Sequence, residues 1–376
     1  MKRVFFWVQH LLGTGHLRRA ATLARALAAE GFDVLLVSGG APAAIELGGA
    51  RFHQLEPLRA VDDKLKVLGH LDGRPAEPAF LGARSAALVA LLRAERPDIV
   101  ITEQFPFGRT QMLGELVPLV EAARALKPKP LIVSSVRDVV RDTASPARIA
   151  QMLDLFDRHF DLLLIHADPN VVSFGESFAG WPRIKDRAHY TGYVVDESLR
   201  DTGGDVGAGE VIVSAGGGAV GGALLRAAIA ARPRTSLGDR TWRLLVGANL
   251  PAGDQAALQV GPGIIVEPAR ADFTTLLANA ALSISQAGYN TVIETLMFAD
   301  RAVIVPFATE RETEQTRRAE LLAGRGMVQM VHERELNGTT LAAAVERAMA
   351  GRSIRSFPRC DADGGARTAA LLRSVA

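Results

Sequence analysis

The feature that most constrains the fold is a pattern that occurs twice in the chain: an apolar strand, a glycine turn and then a helix. It first appears where the run Arg3–Val8 leads through Gly13 and Gly15 into a helical pattern. It appears again after Glu210, where V-I-V-S leads into a glycine cluster. Short, continuously apolar runs between these points are typical of buried parallel strands. This alternation predicts right-handed βαβ units and open, doubly wound parallel sheets.

The second occurrence of the pattern divides the 376-residue chain into two similar α/β halves, since one core rarely grows to this length. Residues 196–209 are rich in Gly, Asp and Glu, and they have no hydrophobic periodicity, so we predict a linker there. We expect two Rossmann-like domains facing a cleft, at residues 1–195 and 196–354. A C-terminal helix within residues 355–376 is expected to pack back on the first domain.

The composition excludes several classes of protein. Hydrophobic residues make up 48% of the chain and charged residues 22%, as in ordinary globular proteins. A net charge of +2 gives no reason to expect nucleic acid as a partner. The single cysteine, Cys360, excludes a disulfide framework and suits a reducing compartment. The apolar run Val4–Val8 is too short for a signal peptide, and no stretch has the length of a membrane span, so we expect a soluble, cytoplasmic protein.

The glycine cluster in the second half satisfies G-x-G-x-x-G between Gly216 and Gly221. A dinucleotide site also needs an acid that closes the next strand. Here Asp239 precedes that strand, so the pattern argues against NAD. The glycines can still hold a diphosphate at a helix N-terminus, and the alternative is close packing of strand and helix with no ligand.

A second glycine turn follows the apolar run at residues 281–284. Gly288 lets backbone amides approach a ligand, and Thr291 and Glu294 share one helix face. Such a surface offers amides to a phosphate and a carboxylate to a sugar diol. The alternative is a capping box, in which Thr291 and Glu294 only satisfy the amides of a helix end.

The next strand, residues 302–305, leads into an acid-rich segment that ends in Glu314 and Gln315. These acids could contact a ligand, or they could be there only because carboxylates are favoured at the positive, N-terminal end of a helix. They are Glu310, Glu312 and Glu314. The charged residues that follow are predicted to form a solvated face: Arg317, Arg318 and Glu320.

In the first half, His16 lies just past the first strand, where open α/β sheets bind ligands. An imidazole titrates near neutrality and can take a proton from an attacking hydroxyl; the alternative is a histidine that caps the turn. Glu103 and Asp138 each follow a buried strand, and either could orient His16 or act as the base, or be a satisfied loop acid. His10 is predicted to be structural. The other histidines have no ligand spacing, so no metal site is predicted.

These motifs resemble the donor domain of GT-B glycosyltransferases of family 28, which include the N-acetylglucosamine transferases of peptidoglycan lipid-precursor synthesis. The pattern of a small residue followed by Gly-x-x-Thr-x-x-Glu is similar to Ala287 to Glu294. The family's Pro-Phe segment, with paired glutamines and Asn-Ala, resembles Pro306 to Ala319, and its hinge Thr-Gly resembles Thr191-Gly192. The resemblance covers most of the chain and is strongest over residues 280–325.

The resemblance implies a metal-independent, inverting transferase that uses a UDP-sugar and needs no cofactor. It implies that Glu294 binds the uridine ribose, that Glu314 and Gln315 read the sugar hydroxyls, and that His16 is the base on the acceptor side. It places Thr291, Gly288 and Ser285 at the nucleotide. The diphosphate would be held by Ser214, Gly216, Gly217 and Gly218, and we also assign Gly13 and Gly15 to donor binding. The implied acceptor is a hydroxyl compound, lipid-linked or otherwise, at the inner face of the membrane.

The sequence departs from the family at three places. The loop from Gly13 to Arg19 is closer to a nucleotide-sugar hydrolase of pseudaminic acid synthesis. Asp196 replaces the arginine expected near the diphosphate, so Arg200 or Arg270 would take its role. Glu314 replaces one donor-sugar glutamine, which leaves the sugar open. A nucleotide-sugar hydrolase or epimerase is therefore the alternative enzyme, and a nucleotide-sugar-binding protein without activity is the third hypothesis.

Overall fold

The computed structural model of the protein describes residues 1–11, 13–62, 67–140, 145–196, 203–216, 221–247, 250, 253–254, 258, 260–307 and 313–376. The chain forms two compact units. The first comprises Met1–Val195 together with Asp361–Ala376, and the second comprises Asp196–Cys360. The second unit therefore ends six residues beyond the boundary expected at residue 354.

Each unit is built on a parallel sheet, of seven strands in the first unit and six in the second. The strand order is β3-β2-β1-β6-β7-β8-β9 in the first and β12-β11-β10-β13-β14-β15 in the second, and β4 and β5 form a separate antiparallel pair. The strands are β1 Arg3–Val8, β2 Asp33–Ser38, β3 Arg51–Gln54, β4 Arg59–Ala60, β5 Leu68–Gly69, β6 Ile99–Glu103, β7 Leu131–Val136, β8 Leu162–Ile165, β9 Ala188–Tyr190, β10 Val211–Ser214, β11 Trp242–Val246, β12 Ile264–Pro268, β13 Leu282–Ser285, β14 Ala302–Ile304 and β15 Gln329–Met330.

The α-helices of the described ranges alternate with these strands, as the sequence predicts. They are α1 Gly15–Ala29, α2 Pro78–Glu95, α3 Leu113–Ala125, α4 Pro146–His159, α5 Trp181–Ile184, α6 Gly222–Ala231, α7 Phe273–Asn279, α8 Tyr289–Phe298, α9 Glu314–Gly324, α10 Gly338–Ala350 and α11 Gly364–Val375. The prediction of two doubly wound α/β domains is confirmed. None of these helices has the length and apolar character needed to cross a membrane.

The order of strands reverses beside the first strand of each sheet. The chain leaves β1 for β2 on one side and returns to β6 on the other, and it leaves β10 for β11 and returns to β13. In parallel α/β sheets, the carboxyl ends of the strands at such a switch point form the ligand-binding edge. The candidate residues near these ends are therefore placed for binding by the topology of the chain.

The core of the first unit explains why its strands are continuously apolar. β1 is buried on both faces, and α1 packs Leu17, Leu23 and Leu27 against it. The returning helix α11 packs on α1 and adds Leu372 to the same core. At the crossing of this returning segment, Gly192 has φ +83, and a Cβ there would lie 2.6 Å from the carboxylate of Asp361.

Candidate functional site

The candidate site of the first unit contains a histidine and a buried carboxylate at the switch point. His16 lies in the first turn of α1, because this helix begins at Gly15. Its Nδ1 lies 2.7 Å from Oε1 of Glu103, the last residue of β6. Glu103 has no exposed surface, whereas the side chain of His16 keeps 19% exposure. The carboxylate of Glu103 is therefore shielded from solvent, while part of the His16 imidazole is accessible from solvent.

Arginines compensate the buried charge of Glu103. Arg19 lies one turn after His16 on α1, and its Nη2 is 2.5 Å from Oε1 of Glu103. Nη2 of Arg109 lies 3.8 Å from Oε2 of the same carboxylate. Burial alone would raise the pKa of Glu103, but His16, Arg19 and Arg109 hold this pKa below its ordinary value. Glu103 is therefore an anion that can only accept hydrogen bonds.

The same surroundings keep His16 neutral. Burial and the positive charge of Arg137 lower the pKa of His16 to about 3, against the opposing effect of Glu103. A neutral imidazole beside an ionised carboxylate donates its Nδ1–H to that carboxylate, a tautomer that we assign from the hydrogen bond. Its lone pair is then on Nε2. This arrangement is that of a general base whose orientation is set by an acid.

Among the described residues, the hydrogen bonds and ion pairs of this pair do not include the other predicted residues of the first unit. Asp138 is buried in the segment after β7, and the acid hydrogen-bonded to His16 is Glu103. Gly15 begins α1, and a Cβ on Gly13 would meet no atom within 4 Å. A donor role for Gly13 and Gly15 stays a prediction, as does a catalytic role for Asp138.

In the second unit, the N-terminus of α8 is open at the switch point. Gly288 is the N-cap residue, no side chain of the described residues caps this end, and a Cβ on Gly288 would meet no atom within 4 Å. The first turn of a helix leaves backbone N–H groups without partners, and these groups bind anions well. Because the helix begins at Tyr289, Thr291 and Glu294 lie inside it, so the capping-box alternative is wrong.

Two serines flank this open end on neighbouring strands. Ser214 closes β10 and pairs in register with Ser285, which closes β13. The hydroxyl of Ser285 is buried and has no hydrogen-bond partner in the described part of the chain. The hydroxyl of Ser214 accepts from the amide of Gly216 at 3.3 Å, and Gly216 adopts φ +69 with free space at its Cβ position. Gly217 and Gly218 lie outside the described residues.

Arg318, which the sequence pattern assigned to a solvated face, is instead buried, with 1% exposure. Its Nη1 donates to the carbonyl oxygen of Ala287 at 2.9 Å, and its Nη2 lies 2.9 Å from Oε1 of Glu314. Its guanidinium also lies over the ring of Tyr289, 5.6 Å from the centroid. Arg318 therefore joins the first turns of α8 and α9. The hydrophobic periodicity of the sequence could not indicate that Arg318 is buried, because Ala287, whose carbonyl it contacts, is 31 residues away.

The remaining predicted donor residues have partners within the second unit. Oε1 of Gln315 accepts from the amide of Phe307 at 3.2 Å. The guanidinium of Arg270 forms a two-point ion pair with Asp272, at 2.7 and 2.6 Å. The roles of Arg270, Gln315 and Glu314 at a donor stay predictions, and Arg200 lies outside the described residues. No cluster of three metal-binding side chains occurs among the residues that the structure describes.

Comparison with known proteins agrees with this geometry. Residues 239–362 match the model of the glycosyltransferase family 28 C-terminal domain. A UDP-N-acetylglucosamine--N-acetylmuramyl-(pentapeptide) pyrophosphoryl-undecaprenol N-acetylglucosamine transferase of Paraburkholderia xenovorans (strain LB400) is 37% identical over 87 residues, which is 23% of each chain. The enzyme of that name from Trichlorobacter lovleyi is 33% identical over 99 residues, 26% of each chain. The matches thus span about a quarter of the length of these relatives.

Solved structures match over the whole chain. MurG of Acinetobacter baumannii has a TM-score of 0.62 at 16% identity, with all of both chains covered. The calicheamicin glycosyltransferase CalG4 has a TM-score of 0.61 at 16% identity, covering 100% of this chain and 94% of that one. The spinosyn rhamnosyltransferase SpnG, complexed with thymidine diphosphate, has a TM-score of 0.57 at 16% identity, covering 100% and 95%.

These likenesses establish that the protein has the GT-B fold, which is the fold predicted from its sequence. The segment of residues 239–362 matches the C-terminal domain of glycosyltransferase family 28. The predicted family resemblance is confirmed.

We predict that His16 stays neutral across the physiological range. In NMR spectra of ¹⁵N-histidine-labelled protein, its Nδ1 should carry the proton from pH 8 to pH 5. The pKa of about 3 lies below the unfolded value of about 6.5. The unfolded chain therefore binds more protons between these values, and the contribution of His16 to the free energy of unfolding should fall as the pH drops below about 6.5. A titration midpoint near 6.5 in the folded protein would contradict this.

We predict that Arg318→Met destabilises the second unit. The substitution removes the hydrogen bond to the Ala287 carbonyl and the ion pair with Glu314, which should lower the free energy of unfolding by about 2–4 kcal/mol in a urea titration. The control is Arg334→Met, since Arg334 is exposed in the same unit and pairs only with its neighbour Glu335. Equal effects of the two substitutions would show that the buried contacts of Arg318 contribute no stability.

Proposed function

We propose that this protein is an inverting, metal-independent glycosyltransferase that moves a sugar from a UDP-sugar to an acceptor hydroxyl. The observation that carries the proposal is the Glu103–His16 pair, because a neutral imidazole held by a buried carboxylate is suited to deprotonate a hydroxyl. The family 28 domain match and the GT-B neighbours support sugar transfer from a nucleotide-sugar.

The second unit would bind the donor. The open first turn of α8 offers backbone N–H groups to the diphosphate, and the unpaired hydroxyl of Ser285 lies on the adjoining strand. Glu294 lies one turn further into α8 and would accept hydrogen bonds from the ribose. The relatives are named as transferases that use UDP-N-acetylglucosamine, and the structural neighbour SpnG is complexed with thymidine diphosphate. Both names support binding of a nucleoside diphosphate by the second unit.

The reaction would be a direct displacement. Nε2 of His16 takes the proton of the acceptor hydroxyl as its oxygen bonds to the anomeric carbon. The bond from that carbon to the diphosphate oxygen breaks with its electron pair, so the anomeric configuration inverts. The anion Glu103 stabilises the imidazolium that forms, and the amides of α8 stabilise the leaving diphosphate. No cofactor enters this scheme, and chelation of metals by EDTA should leave the rate unchanged.

The acceptor would be a hydroxyl compound of glycolipid, envelope or exopolysaccharide synthesis, used in the cytoplasm or at the inner face of the membrane. The names of the curated relatives print an undecaprenol-linked acceptor, which supports a lipid-linked compound. Incubation with UDP-sugars alone tests the alternative: a transferase should release little free sugar, whereas a nucleotide-sugar hydrolase would release it stoichiometrically.

We predict that Glu294→Ala weakens UDP binding. Loss of charge-assisted hydrogen bonds to the ribose should remove about 1.5–3 kcal/mol of binding free energy, measured by thermal shift and calorimetry. Glu335→Ala, an exposed acid in the same unit, should keep the wild-type affinity. Unchanged UDP affinity in the Glu294 variant would remove this residue from the donor site.

We predict that His16→Ala lowers turnover by about 10²–10⁴-fold and spares UDP affinity, because the base is lost and the donor site is untouched. Glu103→Gln should also lower turnover, since the amide no longer stabilises the imidazolium. His53→Ala is the matched control, an exposed histidine of the first unit. Wild-type turnover in the His16 variant would refute its role as the base.

A further inference from the structure

A small cavity of about 210 Å³ lies in the first unit next to the carboxyl end of β1. It is lined by His10, Leu11, Ala41, Arg59, Ala60 and Leu71. Hydrogen bonds fix its walls: the amide of Ala60 donates to the carbonyl of Leu11 at 3.2 Å. Nε2 of Gln9 donates to the carbonyls of His10 and Leu58, at 3.0 and 2.9 Å. The cavity is therefore part of the folded framework.

The wall of this cavity contains a buried histidine, His10, whose ring nitrogens are not well hydrogen-bonded within the described residues. His10 is 3% exposed, and neither ring nitrogen forms a hydrogen bond of good geometry with the described residues, although the backbone of Ala41 lies close enough to act on the ring. A buried polar atom without a partner costs about 1–3 kcal/mol. Gly40 packs against the ring, and a Cβ there would lie 2.4 Å from it. Burial and the charge of Arg109 lower the pKa of His10, so the neutral ring can donate one hydrogen bond and accept one.

Arg59 supplies a positive charge to the same cavity. It lies exposed on β4, and it forms no ion pair with the residues that the structure describes. Two acids near Arg59 in sequence have other partners: Asp62 accepts from the amide of Val67 at 2.7 Å, and Asp72 pairs with Arg74 at 2.8 Å. Within the described ranges, the cavity thus combines an arginine without an ion pair and a buried imidazole without a hydrogen bond of good geometry.

We infer that this cavity binds an anionic group, a phosphate or carboxylate, of the acceptor. The inference rests on the proposed transfer reaction and adds a subsite separate from the residues of the Glu103–His16 pair. Arg59 and the ring N–H of His10 would hold the anion. Val67 and Leu71, on the hairpin, are each 42% exposed, so an apolar part of the same molecule would find contacts beside the anion.

The experiment follows the imidazole C–H signal of His10 in ¹³C-histidine-labelled full-length protein, assigned with a His10→Gln variant. Inorganic phosphate is titrated at constant ionic strength, with chloride as the reference anion. We expect a saturable shift of the His10 signal with phosphate and none with chloride. Arg59→Ala should weaken phosphate binding about tenfold or more, because a charged hydrogen bond is lost. Arg93→Ala, an exposed arginine on α2, is the matched control and should bind as wild type.

Farnesyl phosphate and acetate distinguish the sources of the anion. Tighter binding of farnesyl phosphate than of inorganic phosphate would identify a lipid phosphate, and equal binding would identify a small soluble anion. An equal response to acetate would identify a carboxylate. A His10 signal that responds to none of the three anions, or an unchanged phosphate affinity in Arg59→Ala, would overturn the inference. UDP stabilisation measured on the same samples reports separately on the donor site, so its loss alone would refute only the proposed function.

Discussion

The structure of the first unit depends on one buried charge, the carboxylate of Glu103 at the end of β6. An ionised carboxylate without exposed surface is costly unless it is paired and hydrogen-bonded. Arg19 and His16, one turn apart on α1, meet this need together. The same contacts that make the burial tolerable fix the tautomer and the orientation of the imidazole. The burial of Glu103 and the orientation of the His16 imidazole therefore have one physical cause.

The second unit also has a buried arginine paired with a carboxylate near its switch point. Arg318 is buried and tied to the backbone at Ala287 and to the carboxylate of Glu314, which holds the first turns of two helices in fixed positions. Helix ends fixed in this way present their amides without having to reorganise when an anion arrives. In both units, a buried arginine supports the residues that contact the substrate in the proposed reaction.

The fold could be predicted from the sequence because its signals are local. Runs such as Arg3–Val8 and Leu162–Ile165 are apolar, short and separated by helical patterns, and they are strands within the predicted bounds. The contacts of the site are not local. His16 and Glu103 are 87 residues apart, so the sequence could offer Glu103 and Asp138 as partners without choosing between them. The polar periodicity of α9 gave no sign that Arg318 is buried. A capping box at Thr291 would require an N-cap three residues beyond the observed one, Gly288.

The return of the chain to the first unit has a consequence for how such proteins diversify. Both termini belong to one body, and residues 196–360 are inserted in sequence between two of its segments. A segment that leaves and rejoins its host at two neighbouring points can be replaced as a unit, provided that the crossing at Gly192 and Asp361 is kept; in the proposed function this segment would carry the donor site. Recombination between relatives could in this way exchange the sugar while the host retains its acceptor.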